Sequence, residues 1–360
     1  MFICRPRTIL VWVLFNQKTI SETISPVVFH LEKLKQKNRI ELLKTPEIQA
    51  LAKIESSLLK GTRKYCEENR FTEIVVPHMT KATGACENIA TMFEINYFGQ
   101  KGYMSQTGQL YLEILTPLLK KVWCIIHSFR AEPDIDDRHL TEFPLIEIEF
   151  EGDIKQLMNH AQNLIYSMVR QVMIERKEET ELFGISRKYL KKFKPPYKSI
   201  TYTWAIDHLG NGFKLNWGDD IKNKHEKYLS ALMGMEPFFL THWPKAIKFF
   251  NMKENDENPN IVNSCDLILP FSGEAVGGAE REFRYEKLKE RLEQSTMLKM
   301  LIANGGNIKD FEWYLNFYKE RGVGLHSGCG VGFNRVTQSV LGINDIRAST
   351  VFPMNREMIM

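Results

Sequence analysis

Apolar and acidic side chains alternate without a break along residues 145–151. Ile146, Ile148 and Phe150 fall on one side, and Leu145, Glu147, Glu149 and Glu151 on the other. A period of two is that of a β-strand with one buried face. The pattern predicts a strand that gives one face to the core and shows mostly carboxylate on the other. Residues 122–130 form a second β-rich run, and the two are predicted to pair as a hairpin. Its joining loop carries Arg130, Glu132, Asp134, Asp136, Asp137, Arg138, His139 and Glu142. Such a charge density costs little when solvated, and it would also fit a polyphosphate held between two arginines.

Helical spacing appears further upstream. Thr45, Pro46 and Glu47 form a start signal, because Thr caps well, Pro suits the first turn and Glu favours the positive end of the helix dipole. Ile48, Leu51, Ala52, Leu58, Leu59 and Tyr65 follow near helical spacing, with Asn69 as the stop. A β-branched strand is predicted over 71–76, ended by Pro77, which has no backbone donor. Residues 83–99 read as a loop and a short strand. The middle of the chain reads as two helices, 154–175 and 220–235, and then a strand and a short helix over 237–250.

Two further stretches carry chemistry. Residues 266–281 read as a strand, a tight turn at 270–273 and a second strand opening with Glu274, so that Asp266 and Glu274 stand side by side. Two such carboxylates offer oxygen ligands to Mg²⁺, which usually keeps waters and bridges to substrate phosphates. In the strand within 324–342, Gly328, Gly330 and Gly332 point to the same face and leave it without side chains. A bare strip of this kind admits a flat ring. The spacing is G-x-G-x-G, not the G-x-G-x-x-G of a dinucleotide-binding βαβ unit.

Composition narrows the class. At 360 residues and 43% hydrophobic the chain can bury a full core, and a net charge of +4 is too mild to mark a nucleic-acid binder. The basic run Arg187, Lys188, Lys191, Lys192, Lys194 and Lys198 reads as a solvated helix end. The six cysteines show no metal-ligand spacing and read as reduced thiols of a cytoplasmic protein. The apolar run 9–15 is far short of the roughly 20 residues of a membrane span. No cleavage site follows it, so it is read as a strand or an unstructured extension, and no membrane partner is expected.

The order FRxE, an acidic loop, RHL and then EF with spaced glutamates, over 129–151, resembles motif 2 of the class II aminoacyl-tRNA synthetases, in the aspartyl and asparaginyl branch. The helix and strand over 45–77 resemble motif 1, which forms the homodimer seam of that family. Residues 324–342 resemble motif 3. The resemblance covers about 45–356. It implies an α+β fold, a class II synthetase-like antiparallel β-sheet flanked by helices, with 45–360 as the catalytic domain and 1–44 as an N-terminal extension. One departure stands out: Asn334 and Phe352-Pro353-Met354 occupy places where the family commonly has Glu and FPR.

The resemblance also implies roles. Arg130 is expected on the α-phosphate and substrate carboxylate, Glu132 on the adenine amino group, and Arg138 and His139 toward the β- and γ-phosphates. Phe143 and Arg335 are expected on opposite adenine faces, with Leu140, Gly332, Phe333 and Asn334 also lining the ATP site. Glu274, helped by Asp266, would hold Mg²⁺. Glu87, Gln109, Glu113, Arg130, Gly277 and Arg281 would form the amino-acid pocket, with Arg130, Arg281 and Arg335 as the catalytic arginines. Aspartyl enzymes place a lysine at the position of Leu112, and asparaginyl enzymes use a glutamate where Glu113 stands. A carboxylate accepts hydrogen bonds and repels another carboxylate, which points to the asparaginyl side.

The implied chemistry is adenylation of a carboxylate by ATP. Residues 1–44 are too few for the anticodon-binding domain of this branch. The favoured expectation is therefore the AMP-forming asparagine synthetase related to asparaginyl-tRNA synthetase. That enzyme would adenylate aspartate and transfer ammonia to it, with tRNA not favoured as a partner. Phe2 stands where glutamine-dependent enzymes carry a cysteine, so ammonia is the expected donor. The alternative is an asparaginyl- or aspartyl-tRNA synthetase lacking the anticodon-binding domain. A binding-only paralogue would show eroded arginines and carboxylates, and here all are present.

Overall fold

The structure, a computed structural model, describes residues 39–82 and 91–358. The apolar run 9–15, nearly all of the 1–44 extension and Glu87 lie outside the described residues.

Helix α1 (Pro46–Glu68) forms where its capping signals place it. The Thr45 hydroxyl accepts the Ile48 N–H, and the Asn69 side chain donates to the Tyr65 carbonyl at 2.8 Å. Strands β1 (Thr72–Glu73), β2 (Met79–Thr80), β3 (Glu94–Tyr97) and β4 (Gln100–Met104) follow, then helix α2 (Gln109–Leu119). The expected 71–76 strand shortens to the two residues of β1, which among the described residues pairs only with β5 (Lys121–Phe129) at the edge of the sheet, and Val75 beyond it is 98% exposed.

The predicted hairpin is β5 (Lys121–Phe129) and β6 (Glu142–Glu151), antiparallel along its whole length. Helix α3 (Ile154–Glu175) is started by an Asp153–Gln156 capping box. Then come β7 (Lys198–Thr201), α4 (Tyr202–Phe213), α5 (Asn223–Leu232), β8 (Phe238–Thr241), β9 (Ser264–Leu269) and β10 (Gly273–Glu280). Helices α6 (Tyr285–Gln294), α7 (Thr296–Ala303) and α8 (Glu312–Arg321) precede β11 (His326–Gly332) and α9 (Phe333–Leu341).

Eight strands form one sheet in the order β1-β5-β6-β11-β10-β9-β8-β7. The six inner strands are antiparallel, and the outermost pair on each edge is parallel, so the sheet is mixed only at its margins. The predicted alternation in β6 holds. Ile146, Ile148 and Phe150 pack with α1 and α3, while Leu145, Glu147 and Glu149 face the opposite side. Fully burying each of these apolar side chains is worth about 1.5–3 kcal/mol. The two helices approach closest at Gly61, where a Cβ would stand 2.6 Å from the Ser167 carbonyl oxygen.

Helices α4 and α6–α8 have no counterpart among the predicted elements. The helices α6–α8 build a separate core from Leu288, Leu292, Leu298, Leu301, Tyr314 and Tyr318, with Leu110 of α2. They wall the side of the sheet that carries the glutamates. The basic run is surface, as expected: Phe193 is fully buried and the Tyr189 hydroxyl donates to the Ser339 carbonyl, leaving most of its cations exposed. Cys66, Cys124, Cys265 and Cys329 are buried free thiols. Among the described residues no helix is long and apolar enough to cross a membrane.

Glu147 ties the sheet to α2. Its carboxylate accepts the Gly108 N–H at 2.7 Å and the Thr107 hydroxyl, so it occupies the positive end of a helix that lacks a side-chain cap of its own. Burial pushes this carboxyl up from 4.5 to about 7, despite the bonds from Thr107 and Gly108. Between those values the folded chain holds a proton that the unfolded chain has released. The stabilising contribution is therefore complete below 4.5 and is lost as pH rises through about 7. Unfolding free energies from urea titrations at acid and mildly alkaline pH, compared with those of Glu147→Gln, are expected to show an excess loss in the parent chain of about 3 kcal/mol. Parallel pH dependence of the two proteins would contradict this.

Candidate active site

On the glutamate face of the sheet lies a cleft of about 1050 Å³. Its floor is β6, β11 and β10, and its rim is the 130–140 loop, the start of α5, residues 245–250 and the helices α6 and α7. A concave site with a few convergent charges is the usual form of a small-molecule site.

One end gathers cations. Arg130, Arg138, His139 and Arg335 all line it. Asp136 shapes the loop between them: one oxygen accepts the N–H groups of Arg138 and His139, each at 2.8 Å, and the other pairs with the His139 ring at 2.6 Å. Partial burial works against the Asp136 charge, but these bonds outweigh it and hold its pKa low. Arg130 lies over the Phe143 ring, 5.4 Å from its centre. The Nε atoms of both Arg130 and Arg138 are buried, with no hydrogen-bond partner among the described residues. Three guanidinium groups and an imidazole gathered at one end of the cleft mark a place for an anion. Burial, with Arg138 nearby, pulls the Arg335 guanidinium below its ordinary value, and Arg335 donates to the Glu274 carbonyl.

Asp266 and Glu274 meet as predicted. A Cβ on Gly277, opposite Asp266 in the β9–β10 register, would lie 3.1 Å from Glu274 Oε1 and 3.8 Å from Asp266 Oδ1. The missing side chain leaves both oxygens facing one open spot. Asp266 Oδ2 is paired at 2.9 Å with Lys248, whose ammonium also sits 4.1 Å above the Trp243 ring. Two converging hard oxygens beside an anion site fit Mg²⁺ that completes its shell with water and phosphate.

The other end is an acid-rich network around Arg281. Its guanidinium makes a two-point contact with Glu149, Nε to Oε1 at 3.0 Å and Nη2 to Oε2 at 3.1 Å, and lies 3.6 Å from Glu113. Glycine at 328 makes this contact feasible, since a Cβ there would stand 1.8 Å from Glu149 Oε2. The bare strip on β11 is thus partly covered: Glu149 lies over Gly328 and Leu145 against Gly330. Burial opposes the Arg281 charge, but the Glu149 and Glu113 carboxylates prevail and push its pKa up.

Glu113 is buried and fully engaged. One oxygen accepts Gln109 at 2.6 Å and Asn251 at 2.8 Å; the other accepts Tyr314 at 2.5 Å and Tyr318 at 2.8 Å. Burial alone would raise its pKa, yet His326 and Arg281 hold it ionised, and His326 is itself shifted up by the two glutamates against the effect of its burial.

Most of the predicted site residues come together: Arg130, Arg138, His139, Leu140, Phe143, Gly332, Asn334, Arg335, Asp266, Glu274, Gly277, Gln109 and Arg281 all line the cleft. Three stand elsewhere. Phe333 is packed in the core behind β11, because the first residue of α9 turns back under the sheet. Glu132 is half-buried outside the lining, and Glu113 sits behind the wall with its oxygens already in use. The sequence reading missed Glu226, Lys248, Asn251, Tyr314 and Tyr318. Glu226 carried a signal, a charge on the buried stripe of α5 beside Leu229 and Ser230.

The chain matches the family of tRNA synthetases class II (D, K and N) over residues 31–356. It is 37% identical to the asparagine–tRNA ligase of Pyrococcus abyssi over 314 residues, 86% of this chain and 69% of that protein. It is also 37% identical to the asparagine–tRNA ligase of Pelotomaculum thermopropionicum, over 86% of this chain and 70% of that one. Its fold is similar to the asparaginyl-tRNA synthetase of Pyrococcus horikoshii complexed with asparaginyl-adenylate, with a TM-score of 0.82 and 35% identity, covering 90% of this chain and 72% of that one. The Entamoeba histolytica asparaginyl-tRNA synthetase, also with asparaginyl-adenylate, gives 0.76 at 29% identity over 89% and 70%.

These relatives overturn the expectation of a free-standing aspartate–ammonia ligase, with aspartate and ammonia as substrates, a place in asparagine biosynthesis and no tRNA. That expectation rested on the length of chain ahead of residue 45, which says nothing about the nucleophile a cleft accepts. By its family match and these relatives, the chain belongs to the class II aminoacyl-tRNA synthetases, in the aspartyl/asparaginyl branch.

Proposed function

We propose that this chain is an asparagine–tRNA ligase, which activates asparagine with ATP and transfers it to tRNA. The observation that carries the choice of amino acid is Arg281 held between Glu149 and Glu113. An aspartate side chain would bring a third carboxylate to one guanidinium in a buried setting, where like charges repel strongly. The asparagine amide adds no charge and can donate to an acid. Contact with substrate falls to Arg281, Glu149 and Gln109, which line the cleft, while Glu113 fixes Gln109 and Arg281 from behind.

In the first step a carboxylate oxygen of asparagine attacks the α-phosphorus of ATP and pyrophosphate leaves. In the second, a ribose hydroxyl of tRNA attacks the carbonyl and AMP leaves. No protein nucleophile is required. Arg130 is suited to the α-phosphate and the attacking carboxylate, and Arg138 and His139 to the leaving pyrophosphate. Prearranged donors of this kind need no reorganisation as charge builds on phosphorus oxygens. Phe143 and Arg335, which both line the cleft, are suited to the two faces of adenine. Mg²⁺ held by Asp266 and Glu274 would add charge neutralisation on the phosphates.

We also infer a homodimer through 45–77, supported by the almost fully exposed Val75 just beyond the edge strand β1. Light scattering is expected to give twice the chain mass of 42.0 kDa, and a monomer at micromolar concentration would contradict it.

The function is tested by exchange of labelled pyrophosphate into ATP. Exchange is expected with asparagine and at least about 100-fold less with aspartate, the scale of a missing or misplaced buried polar contact. Arg130→Ala is expected to lower it by about 10²–10³. Exchange driven as well by aspartate, or none with asparagine, would overturn the reading.

A further inference from the structure

Glu226 is buried on α5, far in sequence from the stretches 129–151 and 266–281, yet it touches both. Its Oε2 accepts Arg138 Nη2 at 2.9 Å and the backbone N–H of Glu274 at 3.1 Å. The intervening Gly273 has φ +73°, and a Cβ there would stand 2.1 Å from the same oxygen. Backbone and side chain alike are thus cut away to let this carboxylate in. Arg138 itself lines the cleft, beside Arg335 and His139.

We propose that Glu226 is a positioning residue for MgATP, one oxygen that locks the phosphate-facing Arg138 to the strand end carrying the metal carboxylate Glu274. With one guanidinium corner fixed by a charge-assisted bond, the remaining donors are aimed before the nucleotide arrives, and the arginine does not have to be ordered by it. The same bond sets where β10 begins, and so where the Glu274 carboxylate stands relative to Asp266. Arg138 and the carboxylate pair then act as one clamp, although about 130 residues separate them in sequence. Glu226 touches neither phosphate nor metal in this account. The inference rests on the proposed use of ATP and not on which amino acid is activated.

The test is calorimetric titration of the full chain with MgATP and no amino acid, for the parent, Glu226→Gln, Glu226→Ala, Arg138→Gln and the Arg138/Glu226 double variant. Glu226→Gln, which keeps shape and an acceptor for the Glu274 N–H, is expected to weaken MgATP by about 10- to 100-fold, the range for a buried bond to a charged group. The double variant is expected to be no weaker than Arg138→Gln alone, because the two residues act through one contact. A loss of fold would not give that non-additivity. Equal or tighter MgATP binding by Glu226→Gln, as expected if the carboxylate merely repels phosphate, overturns the inference, and so do additive losses. A parent chain that fails to bind MgATP sinks the ATP-dependent function and the inference together. Binding in the parent with no effect of Glu226→Gln sinks the inference alone.

Discussion

The contact between Arg281 and Glu149 is the constraint around which the cleft is arranged. A guanidinium buried among apolar strands would be intolerable alone, and a buried carboxylate no less so. Each supplies what the other lost from water, and the geometry is the two-point one that makes such pairs strong. It dictates Gly328, since any side chain on that residue would occupy the space of the Glu149 carboxylate. It also draws in Glu113, which shares the Arg281 charge and is in turn supported by Tyr314, Tyr318, Gln109 and Asn251. Bonds of this kind polarise one another in a low dielectric, so the members hold one another in place. The helix α8, which contributes the two tyrosines, thus supports the Arg281 network although none of its residues lines the cleft.

The phosphate end is built on the opposite plan. Around Arg281 cations and carboxylates are paired with one another, whereas Arg130, Arg138, His139 and Arg335 gather at one end of the cleft as an excess of cations. A paired network fixes the shape that a neutral side chain must fit, and an excess of cations favours an anion. The two ends share the β6–β11–β10 floor, which places them in one cleft and lets a carboxylate and a phosphate meet between them.

Much of this was legible in the chain. The alternation of 145–151 put Glu147 and Glu149 on one face and Ile146, Ile148 and Phe150 on the other, because a strand has a strict period of two. The tight turn before Glu274 brought it beside Asp266 for a reason local to the hairpin. The partners of those residues were not legible, because they come from distant elements. Glu226 meets Arg138 across 88 positions, and Tyr314 meets Glu113 across 201. Short helices such as α6, with only Leu288 and Leu292 buried, leave too few apolar positions for periodicity to register. Glu113 was singled out as a free ligand group. Only the fold shows its oxygens already in use. The choice between tRNA and ammonia was drawn from the span of residues 1–44, a feature remote from the cleft, and relatives matched along the catalytic core corrected it.

The central claim is that the acid-rich surroundings of Arg281 select an amide over a carboxylate. The most direct measurement is the affinity of the full chain for two non-hydrolysable adenylate mimics that differ only at the side chain, one asparaginyl and one aspartyl. Both carry the same nucleotide, so the difference isolates the amino-acid end. The account predicts that the asparaginyl mimic binds at least about 100-fold more tightly, the scale set by leaving a buried charge without a partner. Equal affinities, or a preference for the aspartyl mimic, would contradict it.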